Sequence, residues 1–597
     1  MIKAVALESA GGGNASRSAT GIDGQERVST GKADALCAIA LCILTLLSWI
    51  PRWNGPLDYR WDAGTYYILG TSLAEGKGYR LLNEPGEIRA DQYPPLLPLI
   101  VAAHEKLLSS SDIVRVGIAL RRTWILLSLI YVCGAFFLAR TFFSRIYSFW
   151  LAMICMLSYV MVFLSTLCFA ELPFGVATVF FAWTYLRKNG RSWTRYLTPA
   201  FAIAGYLLRS MGIALLAAWV ADALFRRHFR AAAVRALIAL TPIVAWLSYV
   251  HIVESAPDYK RPYYAYQRDP SMFYNVSYAV NMQLKDPFKP DLGKLTLRDL
   301  VLRFTQNAIA IPTALGESIT AREGFFETHV NTINRVLKKR VVPAWPFKVL
   351  LYCLGLLVLL GVLNLALKRQ WLVASAVLLT VAAICSTPWP GQFSRYLAPI
   401  VPLLLLAFLT AFEGLPETAI RVLPTLITRN LKPIRVMIMA FAFCETCFAL
   451  QSGLRNFLST THYKDASGRE RSYNIMHSSG EYADTDEILR WLGSRADRRS
   501  VIAVTMPQWV YIRSGFKAII PPLNTNADKV QKLVDTVPVS FVIVEDLLMS
   551  DNFNTYFPKV VESSPDRWKL IYSIQGSPVK LYARVGVARL SGEVVTR

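Results

Sequence analysis

The sequence predicts a polytopic α-helical membrane protein of about eleven transmembrane helices, followed by an α/β domain outside the cytoplasm. Three observations support this prediction. The 597-residue chain is 54% hydrophobic and only 18% charged, a balance too apolar for a soluble globular protein. Its apolar residues gather in runs close to the length that crosses a bilayer. After the last run, the chain turns polar and shows short helix and strand patterns.

These patterns divide the chain into three predicted regions. Residues 1–32 are rich in Gly, Ser, Ala and Thr, and we expect a disordered cytoplasmic tail. Residues 33–452 form a transmembrane module with two long outer loops, 52–122 and 254–348. Residues 453–597 form a periplasmic domain.

Eleven apolar runs are predicted to cross the membrane. They cover residues 35–50, 123–139, 146–168, 172–186, 196–208, 211–225, 237–253, 349–367, 371–385, 396–412 and 436–450. Another apolar segment, residues 93–106, is short and closed by charged residues, so we expect it at the membrane surface.

The charges of the short connectors predict the orientation. Five connectors at alternate positions carry Arg and Lys, which places them and the N-terminus in the cytoplasm. The outward-facing arginines Arg115, Arg121 and Arg122 fit this orientation poorly. The net charge of +23 is therefore attributed to topology and contact with anionic membrane lipids, and not to nucleic acid.

The last region shows helix patterns at residues 484–492, 509–514 and 528–534. Strand patterns cover residues 501–505, 541–545, 568–574 and 579–584, the last two as a hairpin about Gly576. No glycine-rich phosphate loop or nucleophile motif occurs there, so we expect an acceptor-binding or structural role. The nine cysteines lie in or beside apolar runs, which argues against a disulfide framework.

Four charged residues stand out at the outer ends of apolar runs: Asp62, Glu171, Arg209 and Arg395. A charge at the lipid boundary costs several kcal/mol unless it is paired or solvated, so such residues suggest a site. Simpler interpretations stay open. Glu171 can be a carboxylate favoured at a helix start, and the arginines can extend to lipid headgroups.

The order of several motifs adds a resemblance. The motifs are Asp62 followed by Tyr66-Tyr67, then Tyr93-Pro94-Pro95, Glu171, Arg209, and Arg395-Tyr396 with Pro399 and Pro402. In this order and on one face, they resemble the C-type (GT-C) glycosyltransferases, in particular the branch of protein O-mannosyltransferases and lipid A aminoarabinose transferases. The resemblance covers roughly residues 35–412.

The resemblance implies an inverting glycosyltransferase of the bacterial inner membrane. It would move a sugar from a polyprenyl-phosphate carrier to an extracytoplasmic acceptor, which can be a glycan, a lipid or a protein. Asp62 would be the catalytic base. Arg395 and Arg209 would bind the donor phosphate, and Tyr66, Tyr67, Tyr93 and Tyr396 would contact substrate.

Several alternatives remain at this stage. Glu171 can orient the acceptor, raise the basicity of Asp62, or hold a divalent cation together with it; no other cofactor is expected. The tyrosine-rich segment 258–269 suits sugar stacking or a membrane interface, and its loop can act as a lid over the donor. The rival functions are a transporter or flippase of lipid-linked sugars and a non-catalytic envelope assembly protein.

Overall fold

A computed structural model of the chain describes residues 31–187, 194–338, 343, 345–413, 432–464, 470–524, 526–545, 551–591 and 593–595. The predicted tail, residues 1–32, lies outside the described residues except for Gly31 and Lys32, which already belong to the first helix. The chain is a polytopic helical membrane protein with a sheet-containing C-terminal region, as the sequence predicts.

The described helices up to Phe457 are α1 (Gly31–Trp49), α2 (Asp62–Ala74), α3 (Leu96–Leu108), α4 (Ile113–Ala139), α5 (Arg145–Leu157), α6 (Tyr159–Leu164), α7 (Glu171–Leu186), α8 (Thr194–Leu208), α9 (Ile213–Phe225), α10 (Phe229–Ser255), α11 (Pro257–Lys260), α12 (Tyr278–Met282), α13 (Leu297–Ile319), α14 (Glu323–Val336), α15 (Trp345–Leu367), α16 (Trp371–Cys385), α17 (Phe393–Leu397), α18 (Val401–Thr410) and α19 (Lys432–Phe457). Every predicted run is helical over most of its length.

Among the described residues, six segments are long and apolar enough to cross a membrane: Gly31–Arg52, Ile113–Ala139, Phe229–Ser255, Trp345–Leu367, Pro390–Thr410 and Arg435–Phe457. Four apolar helices are shorter: Arg145–Leu157, Tyr196–Leu208, Ser210–Phe225 and Trp371–Cys385. The number of eleven crossings stays a prediction.

One predicted span, residues 146–168, is not a continuous helix. It is interrupted between α5 and α6 by Ser158, whose ψ of 113° is non-helical. The end of the run bonds instead to the first outer loop. The N–H of Asp58 donates to Thr166 O, and the N–H of Cys168 donates to Asp58 O, both at 3.0 Å. These bonds satisfy backbone groups that a helix would otherwise pair, and they anchor the outer loop.

The two weak points of the predicted topology have structural explanations. The segment at 93–106 lies largely in the 13-residue helix α3, which packs on α2, and its buried Glu105 accepts a hydrogen bond from Thr71 of that helix at 2.6 Å. The outward-facing Arg121 is only 3% exposed and donates to the main-chain carbonyls of Arg52 and Pro56. This arginine therefore holds a loop together, a structural role that accounts for a cation at this position whichever side of the membrane it lies on.

The second outer loop contains a long helix that the sequence does not predict. Helix α13 covers 23 residues and packs on α15. Glycines allow the contact, because a Cβ on Gly355 would lie 1.7 Å from Pro312 O, and one on Gly316 would lie 2.0 Å from Leu351 O. Polar residues such as Asn307 interrupt the apolar pattern of this continuous helix, so no apolar run reveals it.

The described C-terminal elements are β1 (Leu458–Lys464), β2 (Glu470–Met476), α20 (Gly480–Gly493), β3 (Val501–Ala503), α21 (Pro507–Ser514), β4 (Lys517–Ile519), α22 (Ala527–Val534), β5 (Val539–Val544), α23 (Asp551–Glu562), β6 (Trp568–Ser573), β7 (Lys580–Arg584), β8 (Arg589–Leu590) and β9 (Glu593–Val594). A five-stranded sheet has the order β4-β3-β5-β7-β6. Strand β3 is parallel to β4 and β5, while β7 is antiparallel to β5 and β6. The sequence anticipates β3, β5, the β6–β7 hairpin and the helices α20, α21 and α22. It does not anticipate β1, β2, β4, α23, β8 or β9.

The first outer loop covers the edge of this sheet. The N–H of Ala518 in β4 donates to Asn83 O at 2.8 Å, and Asn83 Nδ2 donates back to Ala518 O at 3.3 Å. Lys517 pairs with Glu87 at 2.7 Å. Because an uncovered edge strand invites unwanted pairing, this contact protects β4 and docks the sheet on the loop that carries Asp62.

Gly355→Ala tests the packing of α13 on α15. Alanine favours a helix over glycine by about 1 kcal/mol, so any loss of stability reports the contact with Pro312 O. We expect a loss of about 1–3 kcal/mol, measured as a lower melting temperature in detergent micelles. Gly493→Ala is the matched control, since nothing lies within 4 Å of its Cβ position. Equal melting temperatures for the two variants would contradict this packing.

Candidate active site

Asp62 is the first residue of α2, and the loop before it is rigidly held. Arg60 donates to Asp58 Oδ2 from Nε at 2.8 Å and from Nη2 at 2.6 Å, and both side chains are almost fully buried. Trp61 then adopts a φ of 53°, which is rare outside glycine. The fold therefore maintains an uncommon backbone conformation immediately before the acid.

Glu171 begins α7, and its side chain is completely buried. Its Oε1 accepts hydrogen bonds from Arg209 Nη1 and Arg395 Nε. The helix dipole favours a carboxylate at this position, as the simpler interpretation expects. The two guanidinium groups are additional, and they supply the positive charge that a buried carboxylate requires.

Arg395 joins the two acids. Its Nη2 donates to Asp62 Oδ2 at 2.7 Å while its Nε bonds to Glu171. The guanidinium lies 4.2 Å from the centroid of the Phe169 ring, and that of Arg209 lies 4.9 Å from the Tyr396 ring. The structure thus brings the four predicted charged residues together as two cations and two anions. Aromatic faces stabilise the cations further.

The charge state of Asp62 follows from these neighbours. Burial alone would raise its pKa, but the charge and hydrogen bond of Arg395, the charge of Arg209 and a hydrogen bond from Tyr274 outweigh that effect. The pKa of Asp62 therefore lies below its usual range. The carboxylate is ionised at neutral pH and is able to accept a proton.

The charged cluster borders a cavity of about 800 Å³, large enough for a lipid phosphate with its sugar. Four of the eight predicted site residues line it: Asp62, Tyr93, Arg395 and Tyr396. Glu171 and Arg209 do not line the cavity. Glu171 accepts a hydrogen bond from Arg395, which does line it, and a second one from Arg209. They can orient the groups that face the substrate.

The structure places Tyr66 and Tyr67 behind the wall of the cavity. Both are 3% exposed and neither lines the cavity. The Tyr66 ring packs 4.7 Å from that of Tyr93, and the Tyr67 hydroxyl donates to Ser111 O at 2.9 Å. Helix α2 is buried on most sides, so only its first residue reaches the cavity. These tyrosines support the wall and do not form it.

Two cavity residues from the second outer loop escape prediction. The Tyr274 hydroxyl donates to Asp62 Oδ1 at 3.2 Å, and Tyr278 lines the cavity beside it. The abundance of tyrosine in this loop does indicate a substrate-binding segment, but the densest tyrosines come before Tyr274 and Tyr278, in segment 258–269. There Tyr264 and Tyr266 pack into the core of the C-terminal sheet. For these two, neither the sugar-stacking nor the membrane-interface prediction is right.

The residues do not fit a divalent cation between Asp62 and Glu171, which is one of the three alternatives that the sequence leaves open for Glu171. Arg395 bonds to both carboxylates, so a cation would have to displace it. Within the described part of the chain, no group of three His, Cys, Asp or Glu side chains is placed to hold a metal.

No protein-family model and no curated protein matches the chain, but several solved structures resemble it. Oligosaccharyltransferase AglB of Archaeoglobus fulgidus, in complex with an inhibitory peptide and dolichol-phosphate, aligns over 93% of this chain and 74% of its own, at 11% identity and a TM-score of 0.49. ArnT of Cupriavidus metallidurans, bound to undecaprenyl phosphate, aligns over 93% and 99%, at 12% identity and a TM-score of 0.46.

A third structure is the S. cerevisiae protein O-mannosyltransferase Pmt1-Pmt2 complex bound to the sugar donor. It aligns over 42% of this chain and 37% of its own, at 12% identity and a TM-score of 0.31. All three are GT-C glycosyltransferases, the class that the sequence resembles. At these scores the likeness decides neither activity nor substrate, which have to be argued from the site.

Glu171→Gln tests the charge balance of the cluster. Removing one partner from a buried ion pair typically costs about 3–5 kcal/mol, because the remaining charges lose their compensation. We expect a loss of this size in unfolding experiments on the purified protein. The control is Glu87→Gln, whose carboxylate is 34% exposed and pairs with Lys517; about 0–1 kcal/mol is expected there. Similar losses in both variants would show that the cluster is not electrostatically coupled.

Proposed function

We propose that the chain is an inverting glycosyltransferase that transfers a sugar from a polyprenyl-phosphate carrier to an acceptor hydroxyl, on the extracytoplasmic side of a bacterial inner membrane. The supporting observation is the position of Arg395, beside a cavity-facing aspartate and bonded to a buried glutamate. A guanidinium held in this way is oriented to bind a phosphate through two N–H donors. The neighbouring ionised carboxylate suits deprotonation of an acceptor.

The surroundings of the cavity favour a lipid-linked donor. Its walls include residues of the apolar segment Pro390–Thr410 together with residues of both outer loops. Loop charges assign this face to the side away from the cytoplasm, where nucleotide sugars are not supplied. A carrier with its chain in the bilayer and its phosphate at the surface can reach Arg395.

In the proposed reaction, Asp62 takes the proton of the acceptor hydroxyl while the acceptor oxygen bonds to the anomeric carbon of the donor sugar. The bond between that carbon and the phosphate oxygen breaks on the opposite face, so the configuration inverts. The electron pair leaves with the polyprenyl phosphate. Arg395 stabilises the negative charge that develops on this leaving group.

Arg395 also links donor binding to base strength. Its Nη2 bonds to Asp62 in the structure. A donor phosphate that takes over this N–H group withdraws positive charge from Asp62, and the pKa of the carboxylate then rises towards a more effective base. Glu171 retains the Nε hydrogen bond, so the guanidinium can turn without leaving the site. Arg209 remains as a second positive charge.

Asp62→Asn tests the catalytic assignment. A general base typically contributes about 10²–10⁴-fold, so we expect transfer to fall by that factor without unfolding. The assay uses labelled polyprenyl-phosphate sugars, the reconstituted protein, and envelope membranes from a deletion strain as the acceptor source. Asp258→Asn is the control, because that carboxylate is 52% exposed and pairs with Arg89.

The same assay separates the proposal from its rivals. A folded and fully active Asp62→Asn variant would refute the role of Asp62. Movement of the labelled lipid across the bilayer without sugar transfer would identify a transporter, and binding alone would identify an assembly protein.

The pH dependence tests the exchange of partners at Arg395. Transfer requires ionised Asp62, so the rate falls when the pH drops below its pKa. In the free enzyme Arg395 lowers this pKa, and kcat/KM should stay flat down to below about pH 4, the ordinary range of aspartate. In the donor complex Arg395 binds phosphate, so the acid limb of kcat should lie at higher pH. Coinciding limbs would show that Arg395 does not leave Asp62.

A further inference from the structure

We propose that a second wall of the cavity binds the acceptor through a sugar ring. This aromatic wall consists of Tyr159, Phe163, Phe325, Phe457 and His477, all of which line the cavity. The inference rests on the proposed function, because it assigns the acceptor side of the same site. It adds that the acceptor carries a hydroxyl-rich ring at the position of attack.

The members of the aromatic wall pack on one another around His477. The His477 ring stacks on Phe457 with centroids 4.2 Å apart, and it meets Phe163 edge-on at 4.9 Å. Tyr159 meets Phe325 at 4.8 Å. Such a surface combines apolar faces with polar edges, a combination that suits the C–H faces and hydroxyl groups of a pyranose.

The polar groups of the wall, the Tyr159 hydroxyl and the His477 imidazole, are uncharged and form hydrogen bonds. The Tyr159 hydroxyl lies 2.5 Å from His477 Nε2. Burial, together with the charges of Arg60 and Arg322, lowers the pKa of His477 to about 4, so the ring is neutral at physiological pH. With Tyr159 as the donor to Nε2, the ring proton is on Nδ1. The Nδ1–H has no protein partner in the described residues and can donate to a sugar hydroxyl.

The fold holds the backbone of His477 in an unfavourable conformation. Its φ of 54° is in the left-handed region, which is unfavourable for a residue other than glycine and often marks a functional position. The buried Arg60 donates to the main-chain oxygen of His477 at 2.6 Å and to that of Met476. Asp58 neutralises this arginine. These contacts fix the backbone that carries the imidazole ring.

The same loop fixes the distance between the aromatic wall and the base. Arg60, which grips the His477 backbone, is two residues before Asp62. The Trp61 ring between them meets Phe163 edge-on at 6.1 Å. An acceptor ring on the wall would therefore lie next to the carboxylate that removes its proton.

The position of the wall favours an acceptor over the carrier's hydrocarbon tail. Phe457 is the last residue of α19, and His477 directly follows β2, so both lie where the chain passes from the membrane helices into the sheet region. The polar Asn456 and Arg322 line the cavity beside them. A tail would require an apolar channel, whereas this wall presents the Nδ1–H of His477, for which the described residues offer no partner.

Binding of neutral oligosaccharides tests the proposal. The probes are maltotriose, cellotriose and N-acetylchitotriose, titrated by saturation-transfer NMR against the full-length protein in lipid nanodiscs free of glycoside detergent. We expect at least one probe to bind with a Kd on the order of 1 mM, a weak but saturable affinity. His477→Gly accommodates the left-handed backbone and should raise this Kd at least tenfold. Tyr159→Phe removes one hydrogen bond and should raise it about fivefold.

Two variants serve as controls. His462→Ala changes an exposed histidine on the neighbouring strand β1 and should leave the Kd within twofold. Asp62→Asn should also keep the probe affinity while losing transfer, so the two proposals fail separately. An active Asp62→Asn variant would refute the catalytic assignment alone.

Three results would overturn the aromatic wall as an acceptor site. One is the absence of saturable binding by any probe to the wild type. Another is an unchanged Kd in His477→Gly, or in Tyr159→Phe if the glycine variant does not fold. The last is a loss of undecaprenyl phosphate binding in these variants with oligosaccharide binding intact, which would assign the wall to the carrier.

Discussion

The architecture depends on one electrostatic constraint: a glutamate that is fully buried at the start of helix α7 has to be neutralised. Desolvating a carboxylate costs several kcal/mol, and the cost is recovered only with well-placed partners. Glu171 obtains them from Arg209, between two short helices, and from Arg395, at the start of a late apolar segment. Three distant parts of the chain must therefore converge at one point.

This convergence leaves Arg395 with a second bond, to Asp62 in the first outer loop. The loop is pinned on the other side by the Asp58–Arg60 ion pair and by strand-like bonding to the end of the interrupted span. It also carries the C-terminal sheet, through Asn83 and the carbonyl contacts of Arg60. One loop thus connects the proposed base, the proposed phosphate-binding arginine and the region that the acceptor would approach.

Much of this arrangement could be predicted from the sequence. Charged residues at the ends of apolar runs are costly, so Asp62, Glu171, Arg209 and Arg395 stand out, and the loop charges place them on one face. Their pairing could not be predicted. Asp62 and Arg395 are 333 positions apart, and their contact depends on how the helices pack.

The missed features have a common physical cause. Helix α13 alternates polar and apolar residues because one side bonds to neighbouring loops, which hides it from a search for apolar runs. Strand β4 has only three residues and is completed by pairing with a loop far away in the sequence. Tyr66 and Tyr67 look like site residues because they follow Asp62, yet the helix turns them into the core. Local sequence patterns do not predict features whose structure is determined by tertiary contacts.

The central claim is that Arg395 exchanges its bond to Asp62 for a bond to the donor phosphate. A cryo-EM structure of the protein in nanodiscs with undecaprenyl phosphate tests it most directly. The account predicts a phosphate oxygen about 2.7–2.9 Å from the Arg395 guanidinium, with the bond to Glu171 kept and the bond to Asp62 broken. A phosphate bound elsewhere, with Arg395 still on Asp62, would contradict it.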